Sequence, residues 1–195
     1  PIANSIVQAG VNTMGTDQIA AWGICDKLNM LIWLMSDSMG PALTTFVAQN
    51  LGAKNPERIR KGVTVGTSMS VGAVALISVG LFFFARILTP LFVSSQDAAS
   101  LGVLVGTYSR MMAPFFFFYA IAEALSGACC GTGDTVRPMI TTLLAICLLR
   151  VIGILAVLPI YGTMECIVVI YIASWIAAGV SFLALWRFDV AHISK

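Results

Sequence analysis

Residues 62–85 read GVTVGTSMSVGAVALISVGLFFFA, 24 consecutive positions without a charged side chain. A helix crossing about 30 Å of hydrocarbon needs about 20 mostly apolar residues, so this stretch is long enough to span a bilayer. The rest of the chain has the same character. Its 195 residues are 58% hydrophobic and only 10% charged, with a mean hydropathy of +0.92. An ordinary soluble domain is roughly 25% charged, and a globule with so few polar groups could not cover its core. The composition therefore excludes a soluble enzyme domain, a disordered chain and a coiled coil, and points to a polytopic membrane protein. A net charge of +2 leaves no footprint for nucleic acid.

Further crossings lie on both sides of this run. Val105 to Cys130 carries Arg110 near one end and Glu123 within, Pro138 to Leu158 is broken only by Arg150, and Cys166 to Trp186 has no charge. Asp17 to Leu51 is longer and more polar, holding Asp26, Lys27 and Asp37 among Ile, Leu, Met and Trp. It reads as one long or tilted helix. Pro1 to Met14 is helix-like but too short to cross. The expected fold is an all-α integral membrane bundle of six helices with the first truncated, forming one domain over residues 1–195.

Basic residues mark cytoplasmic loops. Residues 52–62 carry Lys54, Arg58, Arg60 and Lys61, residues 131–138 carry Arg137, and the tail carries Arg187 and Lys195. The intervening loops, around residues 89–97 and 159–165, carry none. This alternation predicts a cytoplasmic C-terminus. Asn55, Pro56 and Glu57 predict a small capped helix in the first basic loop. Small residues four apart (Gly62, Gly66 and Ser70; Ala173, Ala177 and Ser181; Gly102 and Gly106) predict close helix interfaces.

The five cysteines sit in apolar runs, and the lone histidine, His192, is in the tail. No zinc, disulfide or catalytic set is expected, and no enzyme activity or cofactor.

Ionisable groups inside a bilayer are expensive and usually line a cavity or pair with one another. At about 100° per residue, Asp26, Asn29, Trp33, Asp37 and Thr44 share one helix face. Asn4, Gln8 and Asn12 form a polar stripe on the short first helix, and Tyr119, Glu123, Ser126 and Cys130 share a third face. One reading is a water-accessible cavity in which carboxylates and rings hold an organic cation. The other is hydrogen-bonded glue between helices. Arg150 stands alone among Leu143, Ile146, Ile154 and Val157. At 1.5 Å per residue, Arg150 and Asp37 lie about 20 Å from the basic ends and Glu123 about 12 Å. A structural ion pair of Arg150 with Asp37 or Glu123 is expected, with direct substrate contact as the alternative.

Three motifs carry a family resemblance. ALTTFVAQNLGAKNPERIRKG (42–62) resembles the end of the eighth helix and the following loop of multidrug and toxic compound extrusion transporters. EALSGACCGTGDTVRPM (123–139) resembles their tenth-to-eleventh helix connection, with Cys130 where an arginine is common, and VNTMGTDQIAAWGICDK (11–27) is similar to the seventh-to-eighth connection. The resemblance implies one lobe, helices seven (in part) to twelve, of a two-lobe transporter in the cell membrane. Such a protein exports cationic or amphipathic compounds in exchange for sodium ions or protons. It implies a partnering first lobe of six helices, the lipid bilayer as surroundings, and a cation held near Glu123. The alternatives are a lipid-linked oligosaccharide flippase of the same superfamily and a non-transporting truncated fragment.

Overall fold

The structure is a computed structural model describing residues 2–94 and 97–193. Lys195 and the side chain of His192, both named above as features of the tail, lie outside what it describes.

The described residues form six helical segments: α1 (Ile2–Val11), α2 (Thr16–Gly52), α3 (Pro56–Leu91), α4 (Ala98–Gly131), α5 (Val136–Tyr161) and α6 (Met164–Ile193). By length and composition α3, α4, α5 and α6 can each cross a membrane. α2 runs for 37 residues, about 55 Å at 1.5 Å per residue, and α1 has only 10. The all-α membrane bundle expected from composition is what forms.

Helix ends follow local chemistry. Asn55 Oδ1 accepts from the Arg58 N–H at 3.1 Å, and Pro56 and Glu57 occupy the first turn. The expected cap is therefore present, but the small separate helix is not. Nothing after Pro56 interrupts the backbone ladder, so these residues are simply the start of α3. At the end of α5, Gly162 adopts φ +58° and its N–H bonds the Leu158 carbonyl at 2.8 Å. A left-handed closing residue favours glycine because it has no Cβ to clash.

Two of the long helices are irregular. In α4, residues Ala113–Phe115 tighten into a 3₁₀ turn at Pro114, which cannot donate to the preceding turn. In α5, π-helical stretches at Leu143–Leu148 and Gly153–Val157 flank one α-turn, Leu149–Ile152, that holds Arg150. Pro159 has no N–H to offer the Leu155 carbonyl in the second of these stretches.

α4 and α6 are the more buried helices, and α3 and α5 are peripheral. Peripheral apolar side chains such as Leu76, Ile87, Leu155 and Ile160 point outward, where acyl chains would meet them. Inside, Trp175, Tyr108, Phe116 and Ile32 are fully buried together. A second cluster joins Leu43, Val47, Ile59, Val63 and Phe182.

Small residues set the closest approaches. A Cβ on Gly127 would come within 2.1 Å of the Gly40 carbonyl, and one on Gly131 within 2.7 Å of the Thr44 carbonyl. Thr44 Oγ1 donates across this α2–α4 seam to the Gly127 carbonyl at 2.8 Å. Gly62 and Gly66 face Phe46 and Leu43 of α2, and Gly102 and Gly106 face Arg86 of α3. Those two stripes are the interfaces their spacing predicts. On α6 Ser174, Trp175 and Ala178 are fully buried, while Ala173, Ala177 and Ser181 beside them are only half-buried.

The α2–α3 and α4–α5 connections lie at the same end of the bundle as the end of α6. Arg137, at the start of α5, reaches buried Asp189 near the end of α6 at 3.0 Å. Arg137 also pairs with Asp134 in the preceding loop. The Arg137 guanidinium and backbone N–H hold the Asp134 carboxyl below the usual carboxylate range.

Candidate functional site

A cavity of about 810 Å³ opens between five helices. α2 supplies Trp22, Asp26, Lys27, Met30, Trp33 and Asp37; α4 supplies Tyr119 and Glu123; α1 supplies Ala3, Asn4 and Gln8. α5 adds Thr142, Ile146, Cys147 and Arg150, and α6 adds Tyr171. Trp22, Asp26, Met30, Trp33 and Asp37 recur at three- and four-residue steps, which places them on one side of α2. All three expected carboxylates thus reach one space, as do Trp33, Tyr119, Asn4 and Gln8.

The walls are tied to one another. Tyr119 donates its phenolic O–H to Asp37 Oδ1 at 2.7 Å. Trp33 packs edge-on to Tyr119, with ring centroids 4.9 Å apart, and on to Trp175 at 6.1 Å. Tyr171 meets Trp175 at 5.9 Å and Trp22 at 5.3 Å. A continuous aromatic chain from α2 through α4 to α6 therefore backs the acids. Rings in this arrangement present both faces and edges, and faces attract cations.

Several expectations are corrected. Arg150 makes no ion pair with Asp37 or Glu123. Its Nε donates to Ser174 Oγ at 3.0 Å and its Nη1 to Asn4 Oδ1 at 3.0 Å, and the guanidinium lies 4.0 Å from the centroid of the Tyr171 ring. Equal depth along two helices does not make them neighbours. α5 packs against α1 and α6, and those two supply the partners within reach of Arg150.

Asn12 is exposed and off the cavity wall. α1 ends at Val11, so the four-residue stripe loses its register there. Asn12 accepts instead from Gln8 Nε2 at 3.0 Å.

Asn29 and Thr44 also leave the expected face of α2. Buried Asn29 lies with its Nδ2 3.8 Å from Met112 Sδ of α4, and Thr44 is spent on Gly127. On α4, Ser126 and Cys130 are half-buried off the wall. Glu123 is half-buried on it, but no group of three or more metal-ligating side chains converges among the described residues.

Sequence reasoning missed Lys27, Tyr171 and Trp175. Tyr171 and Trp175 stand four apart on α6, a spacing that could have marked an aromatic face. Lys27 follows Asp26 directly and shares the cavity with it.

Comparison with known proteins gives this architecture its family. The family model described as MatE matches residues 2–155. The chain belongs to the MatE family. Among curated MatE relatives, a probable multidrug resistance protein, YpnP, of Bacillus subtilis is 24% identical over 74% of this chain and 32% of its own length. The probable multidrug resistance protein NorM of Thermotoga maritima is 26% identical over 68% of this chain and 28% of its own. The FAD transporter of Shewanella oneidensis is 28% identical over 47% of this chain and 20% of its own. The chain thus spans at most about a third of the length of these relatives. MatE membership and the apolar helices make this a multi-pass membrane protein.

Proposed function

We propose that this chain forms one lobe of a secondary antiporter that exports cationic or amphipathic compounds in exchange for sodium ions or protons. One observation carries the reading: Asp26, Asp37 and Glu123 share a single cavity with Trp33 and Tyr119. A carboxylate supplies charge to an organic cation and a ring supplies its π face, and carboxylates within a membrane protein also bind coupling ions. Substrate and ion then compete for the same acids. The Bacillus and Thermotoga relatives are named as probable multidrug resistance proteins, which agrees with export of drug-like compounds.

In this reading a second six-helix lobe closes the cavity, and the two lobes rock about it to expose it to alternate sides. The basic connections and the end of α6 face the cytoplasm of the cell membrane. Glu123 holds the coupling cation, and Asp37, fixed by Tyr119, engages the positive group of the substrate.

The test is ethidium efflux by the full-length protein that contains this chain, with sodium and pH varied separately. Glu123→Gln is expected to abolish the cation dependence and Asp37→Asn to reduce efflux. Unchanged efflux and unchanged cation dependence in both variants would overturn the assignment.

A further inference from the structure

Arg150 is 4% exposed in the middle of a membrane-spanning bundle, yet among the described residues no carboxylate pairs with it. Its two hydrogen-bond acceptors, Ser174 Oγ and Asn4 Oδ1, are neutral. The Tyr171 ring beneath it is neutral as well. A buried cation whose partners are all neutral keeps its full charge, and that charge is costly until an anion arrives. The three protein acids of the cavity stand on α2 and α4 and form no ion pair with it.

The arginine is also held in place. Ser174 Oγ donates to the Tyr171 carbonyl at 2.7 Å, which fixes the acceptor for Nε. Tyr171 then supports the plane of the guanidinium from below. Five N–H groups radiate from a guanidinium, and the two bonds seen leave Nη2 and one proton of Nη1 without an acceptor among the described residues, in a side chain that lines the cavity. A planar fork presented in this way matches the two oxygens of a carboxylate or phosphate.

Building on the reading under Proposed function, we propose that Arg150 receives an oxyanion, the carboxylate or phosphate of the transported compound. The cavity then favours dipolar molecules. Their positive group meets Asp37 or Glu123, their aromatic body meets Trp33 and Tyr171, and their acid group meets Arg150. Arg150 sets specificity among substrates, whereas Asp37 and Glu123 serve every cationic one.

The test compares two dyes that differ at one group, a rhodamine with a free carboxylate and its methyl ester. Binding of each to the purified full-length protein in detergent is read by fluorescence anisotropy. Arg150→Gln is expected to weaken the acid dye about tenfold more than the ester, as loss of one charge-assisted contact implies. Asn4→Asp keeps the arginine and places an internal carboxylate against it. It is expected to cause the same selective loss in a chain whose buried charge is now paired. Equal loss for both dyes, or no loss for the acid dye in either variant, overturns the proposal. Binding of the ester but not the acid by the unsubstituted protein overturns the role of Arg150 and leaves the antiporter reading standing. Binding of neither dye overturns both.

Discussion

Tyr119 on α4 donates its hydroxyl proton to Asp37 on α2 across 2.7 Å, inside the cavity that both residues line. The bond orients the carboxylate and keeps one of its oxygens engaged. It also joins two helices that meet directly at Gly40 and Gly127 one turn further along α2.

Tyr119→Phe keeps the ring contacts with Trp33 but deletes this donor. A hydrogen bond to a charged group contributes about 1.5–3 kcal/mol. The variant is expected to melt several degrees lower in detergent, read by the loss of a monodisperse peak on size-exclusion chromatography after heating. Unchanged melting would show that the bond contributes nothing to holding α2 against α4.

Gly127→Leu forces side-chain atoms into the Gly40 backbone, where even a Cβ has only 2.1 Å. Overpacking at such a contact costs typically 1–3 kcal/mol or more. A steep fall in folded yield is expected, measured as the monodisperse fraction after extraction. Gly72→Leu, at a position where a Cβ meets nothing within 4 Å, serves as the control and should extract normally.

Gly162→Val places a β-branched residue at φ +58°. The left-handed conformation costs a side chain roughly 1–2 kcal/mol, so a lower melting temperature is expected. Gly162→Asn should recover most of the loss, because asparagine tolerates that region.

Arg137→Ala removes the partner of both Asp134 and Asp189. Because Arg137 depresses the Asp134 carboxyl in the folded protein, this contribution is fully present above the ordinary carboxylate pKa. It fades as pH falls through the lowered folded value. The melting difference between wild type and Arg137→Ala is therefore expected to be largest near neutral pH and to shrink on acidification. A difference that stays constant with pH would remove the electrostatic explanation.

Much of this fold was legible in the order of residues. The charge-free run at 62–85 announces a crossing, Asn55 and Pro56 announce the start of α3, and acids at helical spacing announce a polar wall on α2. Side-chain partners between helices were far less legible. Depth along an axis placed Arg150 level with Asp37 but carried no information about which helices stand beside α5. The close approach of Gly127 and Gly131 to Gly40 and Thr44 was not among the small-residue stripes read from the sequence, and only the packed structure shows it. Asn12 illustrates a different limit: a four-residue repeat counts only while the helix lasts, and α1 stops one residue earlier.

The ion pair between Arg137 and Asp189 ties the beginning of α5 to the end of α6, while Gly162 and Thr163 join the same two helices at their other end. A hairpin fastened at both extremities cannot splay. Opening the two arms therefore requires the Arg137–Asp189 pair to break first.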